Sequence, residues 1–315
     1  MEDEKYNGII EDPRSEEQKA QDYKHEDLAQ GEIVLNWKEY DKDKVRKYEI
    51  QDQDASSSCV AQGLSKVLAI HEVKEGRDYT RLCPKFIYTR RENYPAPGMW
   101  LPNALSIACS YGACKESTIP CNFKSESFMN DKAEPEIALI EAKNYRGKYY
   151  FQITGGIDKV AEVLEQGYGV LLGFRNDPDE WKRKVPVVKG EVKSMGHGVA
   201  CVDYCLWNGE KALIIEDSWS LGTTDEGRRI ITEDFFNKKC FYAGYVTSLE
   251  NYVFSTFLKR GSRGLAVKKL QEKLGIVADG VFGRLTEDAV KRFQMVNKLV
   301  PDGLVGPKTN AVLNL

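Results

Sequence analysis

The stretch Gln53-Asp-Ala-Ser-Ser-Ser-Cys59-Val-Ala61 decides how the rest of the chain is read. Ser56, Ser57 and Ser58 offer N-cap hydroxyls. Val60, Leu64, Val67, Leu68 and Val73 keep helical spacing up to Gly76, so a helix is predicted from Ser58 with Cys59 in its first turn. Backbone N–H groups and the helix dipole stabilise a thiolate there, and the thiolate is the nucleophilic form. A cysteine in a helix is by itself more often core than catalyst. Two further blocks change that balance. Gly196-His197-Gly198 heads the apolar run Val199 to Val202, and Ile215-Glu-Asp217-Ser-Trp219 ends another. Gln53, Cys59, His197 and Asp217 are the parts needed for thiol-based acyl transfer, and their order along the chain separates families that share this chemistry.

Each part has a physical role. His197, one of three histidines, is the candidate general base, and its glycine neighbours permit close approach of backbone or substrate. Asp217 would orient the imidazole and favour the imidazolium, holding a thiolate–imidazolium pair to higher pH than a neutral amide would. A turn-forming aspartate is the plain alternative.

The texture along the chain predicts an α+β protein of two unlike lobes, helices first and strands later. Helices are expected over Pro102–Tyr111 and Asp158–Gln166. Short β-rich runs follow at 170–174, 198–204 and 212–215. Residues 1–30 are acidic and poor in apolar residues. They read as an N-terminal arm, either a plain tail or a segment lying over a cleft. The domain boundaries follow as arm 1–30, catalytic body 31–250, linker 251–257 and a small module 258–315. Within the module Asp279-Gly280-Val-Phe-Gly283-Arg-Leu-Thr286 is echoed by Asp302-Gly303-Leu-Val-Gly306-Pro-Lys-Thr309. Three short helices joined by two matching turns are expected, each threonine a candidate N-cap.

The three blocks resemble the active-site blocks of papain-like cysteine peptidases over roughly residues 33–250, with Val34-Leu-Asn-Trp37 similar to the strand that opens the mature enzyme. The resemblance implies a two-lobed papain-like fold, a helical lobe plus a β-rich lobe. It assigns the oxyanion-hole glutamine to Gln53, the nucleophile to Cys59, the base to His197 and the third triad member to Asp217. The shielding indole falls on Trp219, and substrate-contacting positions fall on Ser57, Gly98, Met195, Gly196 and Trp219. The chain departs from the family at Asp217, where asparagine is usual. It departs also at Ser56-Ser57-Ser58, which replaces Cys-Gly-Ser and so lacks the usual disulfide, and at Val60, which replaces a tryptophan. Residues 258–315 resemble the three-helix peptidoglycan-binding domain of cell-wall hydrolases through Gly261, Gly264, Val267, Leu270-Gln271, Leu274, Phe282-Gly283, Ala289-Val290 and Phe293-Gln294.

Composition bounds the function. The net charge of −3 and pI near 5.9 do not suggest a nucleic-acid binder. Residues 257–315 nevertheless carry eleven Lys/Arg against five Asp/Glu. A basic module on an acidic body suits an anionic surface, or is simply a solvated face. The eight cysteines include no Cys-x-x-Cys pair, and His25 and His71 lie far from the Cys109, Cys114, Cys121 group. Buried free thiols are expected rather than zinc, and no cofactor is implied. The start Met1-Glu-Asp-Glu-Lys-Tyr has no leader character, and no run approaches the roughly 18 apolar residues of a membrane span. Cytoplasmic synthesis is expected, with the wall reached after lysis or release, as for a phage or prophage lysin. The expected activity is that of a cysteine peptidase, monomeric, acting on peptidoglycan. The alternatives are a protein-cleaving peptidase delivered by the module and a non-catalytic wall-binding scaffold.

Overall fold

The computed structural model describes residues 8–20, 22–27, 33–121, 125–175, 177–189, 196–219, 226–248 and 258–313. The proposed linker 251–257, Met195 and residues 1–7 and 28–30 of the arm lie outside them. The helices are α1 Glu16–Lys19, α2 Cys59–Lys74, α3 Pro84–Tyr88, α4 Leu101–Ser110, α5 Glu126–Asn130, α6 Glu136–Ala142, α7 Ile157–Glu165, α8 Pro178–Trp181, α9 Glu233–Lys239, α10 Leu265–Lys273, α11 Arg284–Val296 and α12 Pro307–Leu313. The strands are β1 Tyr149–Gln152, β2 Val170–Arg175, β3 Gly196–Trp207, β4 Glu210–Glu216, β5 Arg228–Thr232 and β6 Cys240–Thr247. Two compact units result. One holds residues 1–13 and 33–248, the other 14–32 and 249–315. The acidic arm is therefore divided, its first part grouped with the catalytic body and its second with the C-terminal helices.

In the larger unit the six strands form one antiparallel sheet in the order β1-β6-β2-β3-β4-β5. The other lobe is helical. Leu64, Val67 and Leu68 of α2, Phe86 and Ile87 of α3 and Leu101, Leu105 and Ile107 of α4 make its core, which also takes in Leu171 and Ala200 of the sheet. α2 is buried almost all round, from Cys59 through Glu72, as suits a helix between a sheet and other helices. It meets β3 at van der Waals distance because both sides lack a side chain. A Cβ on Gly63 would lie 3.1 Å from the Val199 carbonyl carbon, and one on Gly198 2.8 Å from Val60. This close crossing sets the helix start carrying Cys59 beside the strand start carrying His197.

The expected serine cap is absent. Ser58 is the N-cap residue but makes no side-chain cap bond. Its hydroxyl meets Ser56 Oγ at 2.7 Å and accepts from Gln62 Nε2 at 3.1 Å. The serines thus brace the loop, and the Ser58 hydroxyl is not spent on capping the helix.

β4 ends on a buried charge cluster. Lys66 Nζ of α2 lies 2.6 Å from Glu216 Oε2, and Arg228 of β5 reaches Glu216 Oε1 at 3.0 Å. These pairs fix the strand end from which Asp217 projects.

In the smaller unit Leu258, Val267, Leu270, Phe282, Val290, Val305 and Leu313 form the core. The internal echo is a repeated hydrogen-bond device. Gln271 Nε2 donates to Asp279 Oδ1 (2.7 Å), Val281 O (3.1 Å) and Thr286 Oγ1 (2.9 Å), while its Oε1 accepts from Gly280 N–H. Gln294 repeats the set on Asp302, Leu304, Thr309 and Gly303. The threonines are not N-caps: α11 and α12 begin two residues earlier, and each hydroxyl serves the buried glutamine instead.

Candidate active site

The three sequence blocks converge. Asp52 and Trp219 form an antiparallel bridge, and Gln53 N–H donates to Ser218 O at 2.8 Å, which joins the first block to the third. Gln53 is fully buried. Its Oε1 accepts from Ser218 Oγ (2.7 Å) and its Nε2 donates to Ser56 O (2.8 Å). The amide is thereby oriented with its N–H₂ end on the side of the Ser56–Cys59 loop. Cys59 Sγ accepts from Gly198 N–H at 3.4 Å, so the second block touches the first at the sulfur itself.

His197 and Asp217 are both buried, with Nε2 and Oδ1 2.7 Å apart. Nδ1 is the ring nitrogen left for other chemistry. It is buried and makes no hydrogen bond among the described residues. Trp219 lies against the imidazole, ring centroids 4.8 Å apart, and Trp181 meets it edge-on at 5.4 Å. Burial pushes the His197 pKa down, but the charge and hydrogen bond of Asp217, helped by Cys59, outweigh burial and raise it to about 9. For Asp217 burial acts upward and is overcome by His197 and Arg229, which hold the carboxyl well below its usual range.

The Asp217 carboxylate is fully engaged. Oδ1 also accepts from Ser218 N–H at 2.7 Å. Oδ2 accepts from Trp181 Nε1 and from Arg229 Nε, each at 2.8 Å.

The first part of the arm runs through the site. Met99 N–H donates to Gly8 O (3.0 Å), Ile10 N–H to Met99 O (3.4 Å) and Ile9 N–H to Gly196 O (3.3 Å), with Ile9 and Met99 paired in parallel. A Cβ on Gly8 would fall 2.1 Å from Cys59 Sγ and 2.9 Å from Ser57 O, so glycine is what lets the backbone rest on the sulfur. Glu11 pairs with Arg175 at 3.1 Å. The cleft therefore has one wall at Met99 and another at Gly196, and the arm lies between them.

Of the substrate-contacting positions read from sequence, Ser57 and Gly196 border this segment directly and Gly98 precedes Met99 in the wall, while Trp219 covers His197. Ser57 and Gly98 are tied together: Ser57 N–H donates to Glu126 Oε2, Tyr88 OH donates to Glu126 Oε1, and Gly98 N–H donates to Tyr88 OH, each at 2.8 Å. Sequence reasoning missed Arg229, Trp181, Glu126 and Gly8. Two adjacent arginines ahead of Ile230-Ile231 were the one available signal, since a strand with an apolar face must bury one of them or turn it outward.

All eight cysteines are free. Burial pushes Cys83, Cys109, Cys205 and Cys240 up to about 12 and raises Cys201 well above its ordinary value. Among the described residues no group of three or more His, Cys, Asp or Glu is arranged to hold a metal ion, and no helix is long and apolar enough to cross a membrane.

Comparison with known proteins bears on the fold and on the C-terminal module. Residues 263–313 match the family described as "Putative peptidoglycan binding domain". Over 66 residues the chain is 39% identical to the zinc D-Ala-D-Ala carboxypeptidase of Streptomyces albus G, a match covering 18% of this chain and 26% of that protein. The chain thus spans about a quarter of that relative's length. Among solved structures it is similar to xylellain, a cysteine protease from Xylella fastidiosa (TM-score 0.64, 15% identity, 78% of this chain and 97% of that one). It is also similar to procathepsin B from Trypanosoma congolense (TM-score 0.60, 14% identity, 79% and 88%). The larger unit has the two-lobed papain-like fold, and the smaller carries a peptidoglycan-binding-type module.

Proposed function

We propose that the protein is a cysteine peptidase that hydrolyses peptide bonds of bacterial peptidoglycan while its basic C-terminal module holds it on the wall. The observation that carries this reading is the pairing of His197 Nε2 with Asp217 at 2.7 Å. It leaves Nδ1 for a thiol at the start of a helix whose N-cap residue, Ser58, makes no side-chain capping bond. A buried core cysteine and a structural histidine have no need of that arrangement, or of Gln53 anchored beside them.

In this mechanism Cys59 Sγ attacks the amide carbonyl carbon as a thiolate. Gln53 Nε2 and the Cys59 N–H stabilise the oxyanion. The C–N bond breaks as His197 passes its Nδ1 proton to the leaving amine. Water, deprotonated by the same nitrogen, then releases the acyl group and restores the thiol. Asp217 holds the ring and stabilises the imidazolium, and Trp219 and Trp181 keep that charge pair from water. Residues 8–11 must leave the cleft before substrate enters. Binding to an insoluble polymer raises the local substrate concentration, and the excess of Lys/Arg in the module suits an anionic wall. The lysin reading, with release from the cytoplasm by lysis, belongs to this proposal.

Digestion of purified sacculi by wild type and by Cys59→Ala, with released fragments read by mass spectrometry, tests it. Stem or cross-bridge peptides released by wild type alone are expected. Binding without release by either protein would overturn the reading.

A further inference from the structure

The papain-like resemblance leads one to expect asparagine at the third triad position, and this chain has Asp217. A bare carboxylate there would carry a full negative charge into a dry site and bind the imidazolium tightly. An imidazolium bound too tightly is a poor acid for the leaving amine and, after deprotonation, is reformed too readily.

The structure supplies a counter-charge. Arg229 Nε donates to Asp217 Oδ2 at 2.8 Å, on the opposite oxygen from His197. Its side chain is 1% exposed. Its guanidinium lies 5.3 Å from the Trp181 ring centroid and 5.5 Å from that of Trp219, and Nη1 donates to Arg183 O at 2.9 Å. Arginine stays charged in such a place and presents a rigid fork. The two tryptophans that hold it are the two that enclose His197. Among the described residues, the neighbouring charges Glu180 and Glu216 have partners of their own. Glu180 meets Lys239 at 3.0 Å, and Glu216 is shared by Lys66 and Arg228. Among the described residues, Cys59 from α2 and Asp217 after β4 act on His197, and Arg229 from β5 lies behind the carboxylate.

We propose that Arg229 is a positioning residue of the catalytic centre: it locks the Asp217 carboxylate toward His197 and offsets part of its charge, so that Asp217 with Arg229 pulls on the imidazolium less than a bare carboxylate would and more than an amide side chain would. This rests on His197 serving as the acid–base group. The aspartate found where asparagine is usual and the buried arginine beside it are then one compensated change rather than two.

The test does not depend on turnover. With three histidines in the chain, the His197 titration can be followed by NMR in the full-length protein carrying labelled imidazoles. Arg229→Met should raise the His197 pKa by about one unit or more, because the carboxylate charge is no longer partly offset. Arg229→Lys, which keeps the charge, should leave it near the wild-type value. The double variant Asp217→Asn, Arg229→Met should titrate below wild type and be more stable than either single variant, since neither charge is then buried alone. An arginine that only braces the fold would lower the melting temperature in Arg229→Met without moving the titration, and the two single losses would add in the double variant. That result would overturn the proposal. Should Arg229→Met not fold, the double variant decides alone: folding and titrating below wild type supports the pairing, and failing as the single variant does refutes it. Absence of peptidoglycan cleavage would count against the function proposed above without touching these titrations.

Discussion

Glu216 and Asp217 are neighbours at the end of β4, both with side chains fully buried, and each is paired to a neighbouring arginine of β5, Arg228 or Arg229. Each has a second cationic partner from another element, Lys66 for Glu216 and His197 for Asp217. By burial and pairing alone the two clusters are alike. They differ in what the second partner can do. Lys66 ends at its ammonium, already bound to the carboxylate. His197 has a second ring nitrogen, and the start of α2 sets a thiol close to the histidine's strand. A buried ion pair is therefore no mark of catalysis in this protein. What the proposed function needs in addition is a partner that can pass a proton onward at a cleft wall.

The largest effect should separate the clusters cleanly. His197→Asn is expected to lower peptide-bond hydrolysis by about a thousandfold or more, as loss of a general acid–base coupled to its nucleophile does, with the fold kept by circular dichroism. Gln53→Ala should cost about 100- to 1,000-fold in kcat through the lost oxyanion donor, measured on the same substrate. Lys66→Met should do the reverse. Leaving Glu216 short of one buried partner should cost about 3 kcal/mol in urea unfolding, at the low end for such pairs because Arg228 remains. Turnover per folded molecule should be close to wild type. A Lys66→Met protein that is stable but inactive would erase the distinction between the two clusters.

A smaller effect sharpens it. The folded-state pKa of His197, about 9, lies above its ordinary value of 6.5. The imidazolium therefore contributes stability that is fully present below about 6.5 and is lost as pH rises through about 9. The melting temperature of wild type should fall across that window, and His197→Asn should remove this part of the slope. The smallest effect concerns the arm. Gly8→Ala places a methyl where only 2.1 Å separates it from Cys59 Sγ, so residues 8–11 must shift. Turnover of a small peptide should rise severalfold, and an unchanged rate would show that the arm does not limit access.

The parts of the site readable from sequence were those marked by local pattern. Cys59 stood at a helix start, His197 between glycines ahead of an apolar run, and Asp217 with Trp219 at the end of the next. The two-lobed α+β architecture followed from helices preceding strands, and the module from its repeated Asp-Gly turns. What stayed hidden depends on pairing between distant segments. Arg229 meets Asp217 through the register of β5 on β4, Trp181 arrives from α8, and Glu126 ties Ser57 to the Tyr88–Gly98 wall across 69 residues of chain. No local rule places these. The serine run shows the opposite failure. Its composition signalled an N-cap, but the hydroxyls found partners in Ser56 and Gln62 instead. The threonines of the module were likewise claimed by buried glutamines. In each case a side chain that local chemistry would direct to its own backbone was claimed by another side chain. For the arm, acidic composition favoured an ordinary tail over a cleft cover, and it is the pairing of residues 8–11 with Met99, Gly196 and Arg175 and the approach of Gly8 to the sulfur that place them in the cleft.

The central claim is that Cys59 alone among eight thiols is activated, and that His197 activates it. Iodoacetamide labelling of the full-length protein near neutral pH, mapped cysteine by cysteine with mass spectrometry in wild type and His197→Asn, tests this most directly. Modification of Cys59 well ahead of the other seven in wild type, with that lead lost in His197→Asn, is the result the account requires. Labelling of Cys59 no faster than the rest, or a lead that survives without His197, would contradict it.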